Sequence, residues 1–568
     1  MKEGILEKVV RVDQNDSKLA MAHMYVAFLS LLIGAIAGVL QGLSRAGLIT
    51  LPAGINYYQL LTAHGVLLAL VFTTYFIYGF YYAGLSKTMG SFSSQNHKLA
   101  WIGFYIMVIG TAVAAAFIIL GQANVLYTFY PPLQANPFFY VALAVYVVGN
   151  WIGATAMLRH YFEWKKENKG EISPLFGFMV VATMLLWIIS TIGLAITIIF
   201  QIIPWAFGAG DGINILLSRT LFWYFGHPLV YFWLMPAYVA WYTIIPKVIG
   251  GKLFSDSLAR LAFILFLLLS FPLGFHHQLM EPGIESFWKF VQVALTFTTV
   301  TPSLLTAFSM FATFELAGRE KGSRGLFGWV RKLPWGDVRF LAPMLGMLFF
   351  IPAGAGGIVN ASHQMNAVVH NTLWVVGHFH ISVGTTVVLT FFGVAYWLIP
   401  HLTGRTLTAK MNKFGVIQTL LWTVGMILMS AGMHILGLMG APRRTGYTTY
   451  GDHPTALEWF TNFFANHVTV SVGGVILFIS TVMMVAGFFH LALFAPRQGT
   501  ATFPISDGSY NGTNIPAFFE NWRIWIILAI VLILAGYLIP VIDMVRNAPP
   551  GAPPINWVIQ QFSMLYLK

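Results

Sequence analysis

The chain is 568 residues long, 57% hydrophobic and only 9% charged, with a mean hydropathy of +0.74, which excludes a soluble globular protein, where about 25% of residues are charged. Its apolar runs are too long for the strands of a membrane β-barrel, and its net charge of +12 does not imply nucleic acid, because the basic residues sit in short loops between apolar segments, a topological pattern. With no cysteine among 16 histidines and 23 methionines, thiolate iron–sulfur clusters, thiolate copper and CxxCH-attached haem are excluded within this polypeptide, and imidazole is left as the main metal ligand, which suits haem iron and copper.

The segment 1–19 is polar, shows no cleavable signal pattern and leads straight into apolar sequence. The hydropathy pattern predicts about thirteen spans of roughly 20–30 residues, at 20–42, 57–84, 99–121, 137–161, 175–203, 217–246, 257–280, 288–316, 339–361, 373–402, 413–438, 464–494 and 521–544. With the N-terminus inside, about 24 of the 31 basic residues fall in inner segments, among them the run from Arg319 to Arg339. That asymmetry predicts N-in, C-out and an odd number of crossings. The expected architecture is an all-α polytopic membrane protein forming one membrane domain over 1–568. It comprises an inner segment 1–19, a bundle 20–544 and an outer tail 545–568 whose NAPPGAPP stretch is extended. Segment 495–520 reads as an inner linker. No internal repeat, low-complexity tract or soluble domain is evident.

The first residue that invites chemistry is His64, in LTAHGVLLALV of the second span. A lone histidine there is usually a packed or hydrogen-bonded residue, but the flanking Gly65 would let a flat ring approach the helix. The sixth span carries GHPLVYFWLMPAY, 226–238. His227 and Tyr231 are four apart, hence on one face, where a phenol beside a metal-bound imidazole can supply a proton and an electron. The plainer alternative is a Tyr–His pair joining helices. Tyr238 and Tyr242 continue that face. Ser303, Thr306 and Ser309 line one face of span eight, and Ser255 lies at the inner end of span seven. These hydroxyls either relay protons from the inner side to Tyr231 or pack ordinarily between helices.

At the end of span seven, GFHHQ, 274–278, places His276 and His277 side by side. With His227 they make a three-imidazole site with an open coordination position. The outer loop NASHQMNAVVHN, 360–371, holds His370 and Asn371. In span ten, WVVGHFHIS, 374–382, puts His378 and His380 two residues apart, about 200° of helical rotation. One helix can thereby ligate two centres on opposite flanks, unlike HExxH, whose ligands share a face. The outer loop APRRTGY holds Arg443 and Arg444, either solvated or a clamp on carboxylates. The predicted topology puts His64, His227, His276, His277, His378 and His380 in the outer half of the membrane. They come from four helices of both directions; structural histidines have no reason to share a depth, whereas metal ligands do. The other histidines show no convergent spacing.

HPxxxY, HH and HxH, with a further histidine on span two, resemble subunit I of the haem–copper oxygen reductases. GHPLVY, GFHHQ, VLYTFYPPL (125–133), GAGGIVNAS, VVHNT and VVGHFH together resemble the B-type branch, cytochrome c oxidases with b- and a-type haems, over nearly the whole chain. The resemblance implies that His64 and His380 ligate a low-spin haem b, His378 a high-spin a-type haem, and His227, His276 and His277 one copper ion. Tyr231 would be cross-linked to His227 and donate a proton and an electron to dioxygen. Arg443 and Arg444, with His370 and Asn371, would bind propionates. Tyr231, Tyr238, Tyr242, Ser255, Ser303, Thr306 and Ser309 would mark a single proton channel. The implied setting is a bacterial or archaeal inner membrane, with dioxygen as substrate. The implied partners are a subunit II with a dinuclear copper site, room for a small third transmembrane subunit, and cytochrome c or quinol as donor.

Two positions depart from the wider pattern. Where the A-type branch has a glutamate in HPxxxY this chain has Leu229, so a second channel ending there is not expected. Asn366 stands where some B-type relatives carry an acid, leaving His370 as the better proton-loading candidate. A nitric oxide reductase on the same six-histidine scaffold would lack the tyrosine and carry acidic groups near a non-haem iron. A transporter would show paired broken helices and an inverted repeat, and neither is found.

Overall fold

A computed structural model describes residues 12–209, 212–446, 464–497, 503–506, 508–512 and 515–547. The expectations for residues 1–11, for most of the outer loop after Gly446 and for the Pro-rich tail lie outside the described residues. Among the described residues twelve helices are long and apolar enough to cross a membrane. Numbered in chain order with the shorter seventh, they are α1 Gln14–Arg45, α2 Tyr57–Met89, α3 Ser94–Ile119, α4 Pro137–Glu167, α5 Leu175–Ala206, α6 Ile215–Val248, α7 Asp256–Leu269, α8 Ser286–Glu320, α9 Val338–Ala361, α10 Leu373–Thr403, α11 Ala409–Leu438, α12 Phe464–Phe494 and α13 Trp522–Arg546. β pairing among the described residues outside these helices is confined to two isolated bridges.

Several helices begin where polar side chains satisfy their free amides. Asn56 and Gln59 form a reciprocal cap on α2, Asn136 caps α4 with Pro137 in its first turn, and Ser255 accepts from the Leu258 amide to start α7. Close packing follows from small residues, as expected where lipid supplies no hydrophobic drive between helices. A Cβ on Gly149 of α4 would lie 2.6 Å from the Met107 nitrogen of α3, and one on Gly473 of α12 would lie 2.4 Å from the Met429 nitrogen of α11.

Three departures from the sequence reading bear on function. First, the predicted span 257–280 is helical only to Leu269. Pro272 has no N–H and excludes the carbonyl four residues earlier, so the chain continues irregularly into a 3₁₀ turn, Gly274–Gln278. Irregular backbone at such depth is tolerated only inside protein. Here the Gly274 amide donates to the Tyr537 hydroxyl (2.8 Å) and the Phe275 amide to Gln292 Oε1 (2.8 Å).

Second, α2 and α10 each contain a π-helical stretch, Val66–Phe72 and Ser382–Val387, beginning within two residues of His64 and His380. Such turns shift the register of every side chain beyond them. Third, the linker near residue 510 folds back on the ends of α6 and α7. Ser506 N–H donates to the Thr243 carbonyl (2.7 Å), Tyr510 N–H to that of Leu253 (2.7 Å) and Asn511 N–H to that of Phe254 (3.0 Å).

Candidate metal centre

All six histidines singled out above line one cavity of about 730 Å³, together with Tyr231, Ser303, Arg443 and Arg444. The shared depth expected from topology is thus a shared space. On one side of it the His64 and His380 rings face each other with planes 14° apart and centroids 6.1 Å apart. His64 Nδ1 donates to the Gly34 carbonyl (2.9 Å) and His380 Nδ1 to that of Val376 (2.8 Å). A carbonyl only accepts, so each Nδ1 carries the hydrogen and each Nε2 keeps its lone pair. Two parallel imidazoles with free Nε2 atoms fit one metal between them, oriented by their backbone partners.

Gly65 lines the cavity beside His64. A Cβ there would meet Tyr127 Cβ at 2.7 Å, so the glycine is required by packing against the 120–136 loop. Open space lies instead at Gly354 and Gly357 of α9, where an added Cβ would meet nothing within 4 Å. Both line the cavity and leave a slot suited to a flat macrocycle.

His227, His276 and His277 offer ligand atoms that all lie within 4.8 Å of one another. His227 Nδ1 is 3.2 Å from His277 Nε2, and His227 Nε2 is buried without a hydrogen-bond partner among the described residues. His276 is oriented by a residue the sequence reading missed. Thr296 gives its only proton to the Gln292 carbonyl (2.6 Å), so toward His276 Nδ1, 3.0 Å away, it can only accept. That leaves His276 Nε2 free to ligate. Trp223 stacks on His277 at 3.9 Å and 11°, fixing its ring plane. His378 lines the cavity with Nδ1 buried and without a hydrogen-bond partner among the described residues, and Trp374 stacks beside it at 5.9 Å. The donor set is all imidazole, the cavity walls are mainly apolar, and both fit haem iron and copper.

The Tyr231 ring lies 5.2 Å from that of His227. Its hydroxyl donates to Thr299 Oγ1 (3.1 Å), which in turn donates to the Thr296 carbonyl (2.7 Å). One turn of α8 therefore positions both the tyrosine and a copper-candidate histidine. Thr296 and Thr299 carried no sequence signal beyond being hydroxyls on span eight. Below them Tyr238 reaches Ser303 (3.5 Å) and Tyr242 donates to Thr306 (2.8 Å). Ser309 Oγ is buried without a partner among the described residues, and Ser255 is occupied as the cap of α7.

At the other wall Arg443 Nη2 donates to Asn371 Oδ1 (2.9 Å), and Arg443 N–H to the Asn371 carbonyl (2.9 Å). Burial and the adjacent Arg444 charge pull the Arg443 guanidinium down to about 9. Arg444 Nη2 is buried without a partner among the described residues. Two crowded cations on a cavity wall invite carboxylates. His370 sits apart from the cavity lining, its Nδ1 3.0 Å from Asn366 Oδ1. Burial, then Arg443 and the other nearby cations, pull it down to about 4.

Comparison with known proteins follows the same line. The family described as cytochrome c and quinol oxidase polypeptide I matches residues 18–476. Cytochrome c oxidase subunit 1 of Thermus thermophilus is 39% identical over 536 residues, covering 92% of this chain and 94% of that one. The probable quinol oxidase subunit 1 of Staphylococcus epidermidis is 26% identical over 469 residues, 78% of this chain and 65% of its own. Among solved structures, a chain of a heme-copper terminal oxidase dimer studied by cryo-EM superposes with a TM-score of 0.89 at 36% identity, covering 96% of this chain and 97% of that one.

Proposed function

The chain belongs to the cytochrome c and quinol oxidase polypeptide I family, as a haem–copper oxidase subunit I and an oxidoreductase of the membrane, and from that premise we propose its particular reaction and the residues that carry it. It reduces dioxygen to water with electrons from cytochrome c, delivered through a partner subunit that carries a dinuclear copper site. Its setting is the inner membrane of a bacterium or archaeon. The observation that carries this reading is the gathering of three separate imidazole sets and Tyr231 around one cavity.

His64 and His380 hold a low-spin haem b, His378 a high-spin a-type haem, and His227, His276 and His277 a copper ion. When bound, these groups supply oxygen binding and the electrons for its reduction. The protein's own part is to place, orient and supply protons. α10 would carry a ligand for each haem, His380 for one and His378 for the other. Arg443 and Arg444, braced by Asn371, neutralise haem carboxylates on the outer side, and His370 stands close to the same cations. Tyr231 offers its hydroxyl proton beside the copper ligands and recovers it along Thr299, Ser303, Tyr238, Thr306 and Tyr242, from the side that bears the basic loops. Electrons from one side and protons from the other make the reaction electrogenic, each charge being worth about 2.3 kcal/mol per 100 mV.

The test is the iron and copper content of the chain purified with its partners. Two non-covalent haem irons and one copper beyond any pair on the partner are expected. Iron without copper would overturn the oxidase in favour of nitric oxide reduction. Turnover with reduced cytochrome c but not with quinol would fix the donor.

A further inference from the structure

The loop between α8 and α9 takes no part in the cavity, yet it has a defined shape. α8 runs over 35 residues, about 52 Å at 1.5 Å per residue, and so overshoots a hydrocarbon core of about 30 Å. The loop folds back along it. Trp329 is 5% exposed. It stacks on Phe314 (6.1 Å, 15°) and meets Phe311 edge-on (5.1 Å, 82°). Its backbone crowds Gly318, where a Cβ would lie 2.8 Å from Trp329 Cα. The loop thereby returns about two helical turns toward the bilayer. There it reaches Phe311, which is itself 44% exposed on the surface of the bundle.

The tip of the loop is apolar and its flanks are basic. Gly322 and Gly325 take positive φ (78° and 73°), and a Cβ on Gly328 would lie 3.7 Å from Ser323 Cβ, so 323–328 closes into a narrow turn. Leu326 and Phe327 form its tip, each 64% exposed. The Leu326 carbonyl accepts the Trp329 indole N–H (2.9 Å), which ties the tip to the buried ring. Six basic and two acidic residues lie from Arg319 to Arg339. Arg319 pairs with Glu315, Arg339 with Asp337 (2.6 Å), Lys321 bonds the Ile249 carbonyl, and Glu320 accepts from the Tyr510 hydroxyl (2.7 Å). Arg324, Arg331 and Lys332 are exposed and have no protein partner among the described residues.

We propose that this turn is a seat for an anionic phospholipid of the leaflet on the basic-loop side, with Leu326 and Phe327 in the acyl region and Arg324, Arg331 and Lys332 facing the headgroup phosphate. The charge pattern selects the occupant. Exposed apolar side chains alone suit any lipid. Beside three uncommitted cations they suit a molecule that is negative at one end and apolar at the other. A zwitterionic lipid would bring its own cation against the three basic groups. A soluble anion would gain nothing from Leu326 and Phe327.

The experiment uses the assembled enzyme in phosphatidylcholine vesicles doped with phosphatidylglycerol that carries a photoreactive acyl chain. After illumination, label is expected on the peptide spanning 321–332. Phosphatidylcholine with the same photoreactive chain should label it far less, and inorganic phosphate should not compete. Arg324→Gln should lower labelling about fivefold, the contribution of one basic residue at an anionic surface, while Arg324→Lys should keep most of it. Replacing Leu326 and Phe327 together by serine should also lower it, with haem spectra and dioxygen turnover unchanged. Equal labelling by the two lipids would show ordinary boundary lipid and overturn the seat. Competition by inorganic phosphate would reduce it to a phosphate site and overturn the lipid. A photoreactive side chain placed at Phe327 that links to a partner subunit would give the face to a protein and overturn it as well. If the variants do not assemble, the comparison of the two lipids on the unaltered enzyme decides alone.

Discussion

The His64 and His380 rings face each other from α2 and α10 with their centroids 6.1 Å apart and their planes within 14°. Each is tethered at Nδ1 by a backbone carbonyl, so neither ring needs the other as a hydrogen-bond partner. Their shared orientation suits the common metal proposed for them. Removing either ligand, in His64→Ala or His380→Ala, is expected to abolish the low-spin haem signal while copper and the high-spin haem remain. Pyridine haemochrome analysis should show half the haem iron per chain, and turnover should fall by at least about a hundredfold, the upper end of what even a ligand's supporting partner contributes. Retention of both haems would reassign the pair.

Thr296 and Thr299 separate two roles that a single turn of α8 combines. Thr296→Val removes the acceptor that holds the His276 tautomer. Copper affinity should then drop about 10- to 100-fold, as for other partners of metal ligands, measured by copper retention against a graded chelator. Thr299→Val removes only the acceptor of the Tyr231 proton. Copper should stay, and turnover should fall about fivefold, corresponding to one hydrogen bond of about 1 kcal/mol. Equal copper loss in both variants would mean the two threonines act merely as packing.

The slot on α9 yields a test that does not depend on removing any polar group. At Gly354 and Gly357 an added Cβ meets nothing within 4 Å, so Gly354→Leu or Gly357→Leu should fold and insert normally. A side chain of that size in the slot should compete with a macrocycle, lowering high-spin haem incorporation several-fold while His64 and His380 keep theirs. Leucine at both positions with full haem content would show that this space serves something else.

Imidazoles at HPxxxY, HH and HxH were legible because ligation demands particular residue types, and the alternation of basic loops placed them at one depth. The helical count was legible from hydropathy apart from α7, which ends at Leu269, ahead of Pro272 and eleven residues before the predicted boundary. Orientation was not legible. The π-helical stretches after His64 and His380 arise from packing, not from any residue signature. Thr296 and Thr299 are two hydroxyls among many, and their meaning comes from which carbonyl takes their proton. The linker around Tyr510 has turn composition only, and its position against α6 and α7 is a tertiary fact.

On the basic-loop side charge is buried for structural reasons. The Arg260 side chain is 1% exposed and bonds Asp256 (2.5 Å) from Nε, Glu520 (3.2 Å) from Nη1 and the Ser173 carbonyl (2.6 Å) from Nη2. Lys165 completes the cluster at 2.6 Å from Glu520, tying α4, α7 and the start of α13 together. Burial alone would raise the Glu520 carboxyl, but the bonds from Lys165 and Ser173 outweigh it and hold it below the usual carboxylate range. A lowered folded value stabilises the protein above the unfolded value, about 4.3 for a glutamate, and that contribution is lost as pH falls through the folded value. The apparent melting temperature should therefore decline on acidification below about pH 5, and Glu520→Gln should be less stable near neutrality with a flatter acid limb. Arg260→Met leaves Asp256 without its guanidinium and Glu520 with only Lys165 and Ser173, and should cost about 3–5 kcal/mol, seen as early loss of α13 contacts in limited proteolysis. A Glu520→Gln melting curve parallel to wild type across the acid range would show that the cluster carries no pH-dependent stability.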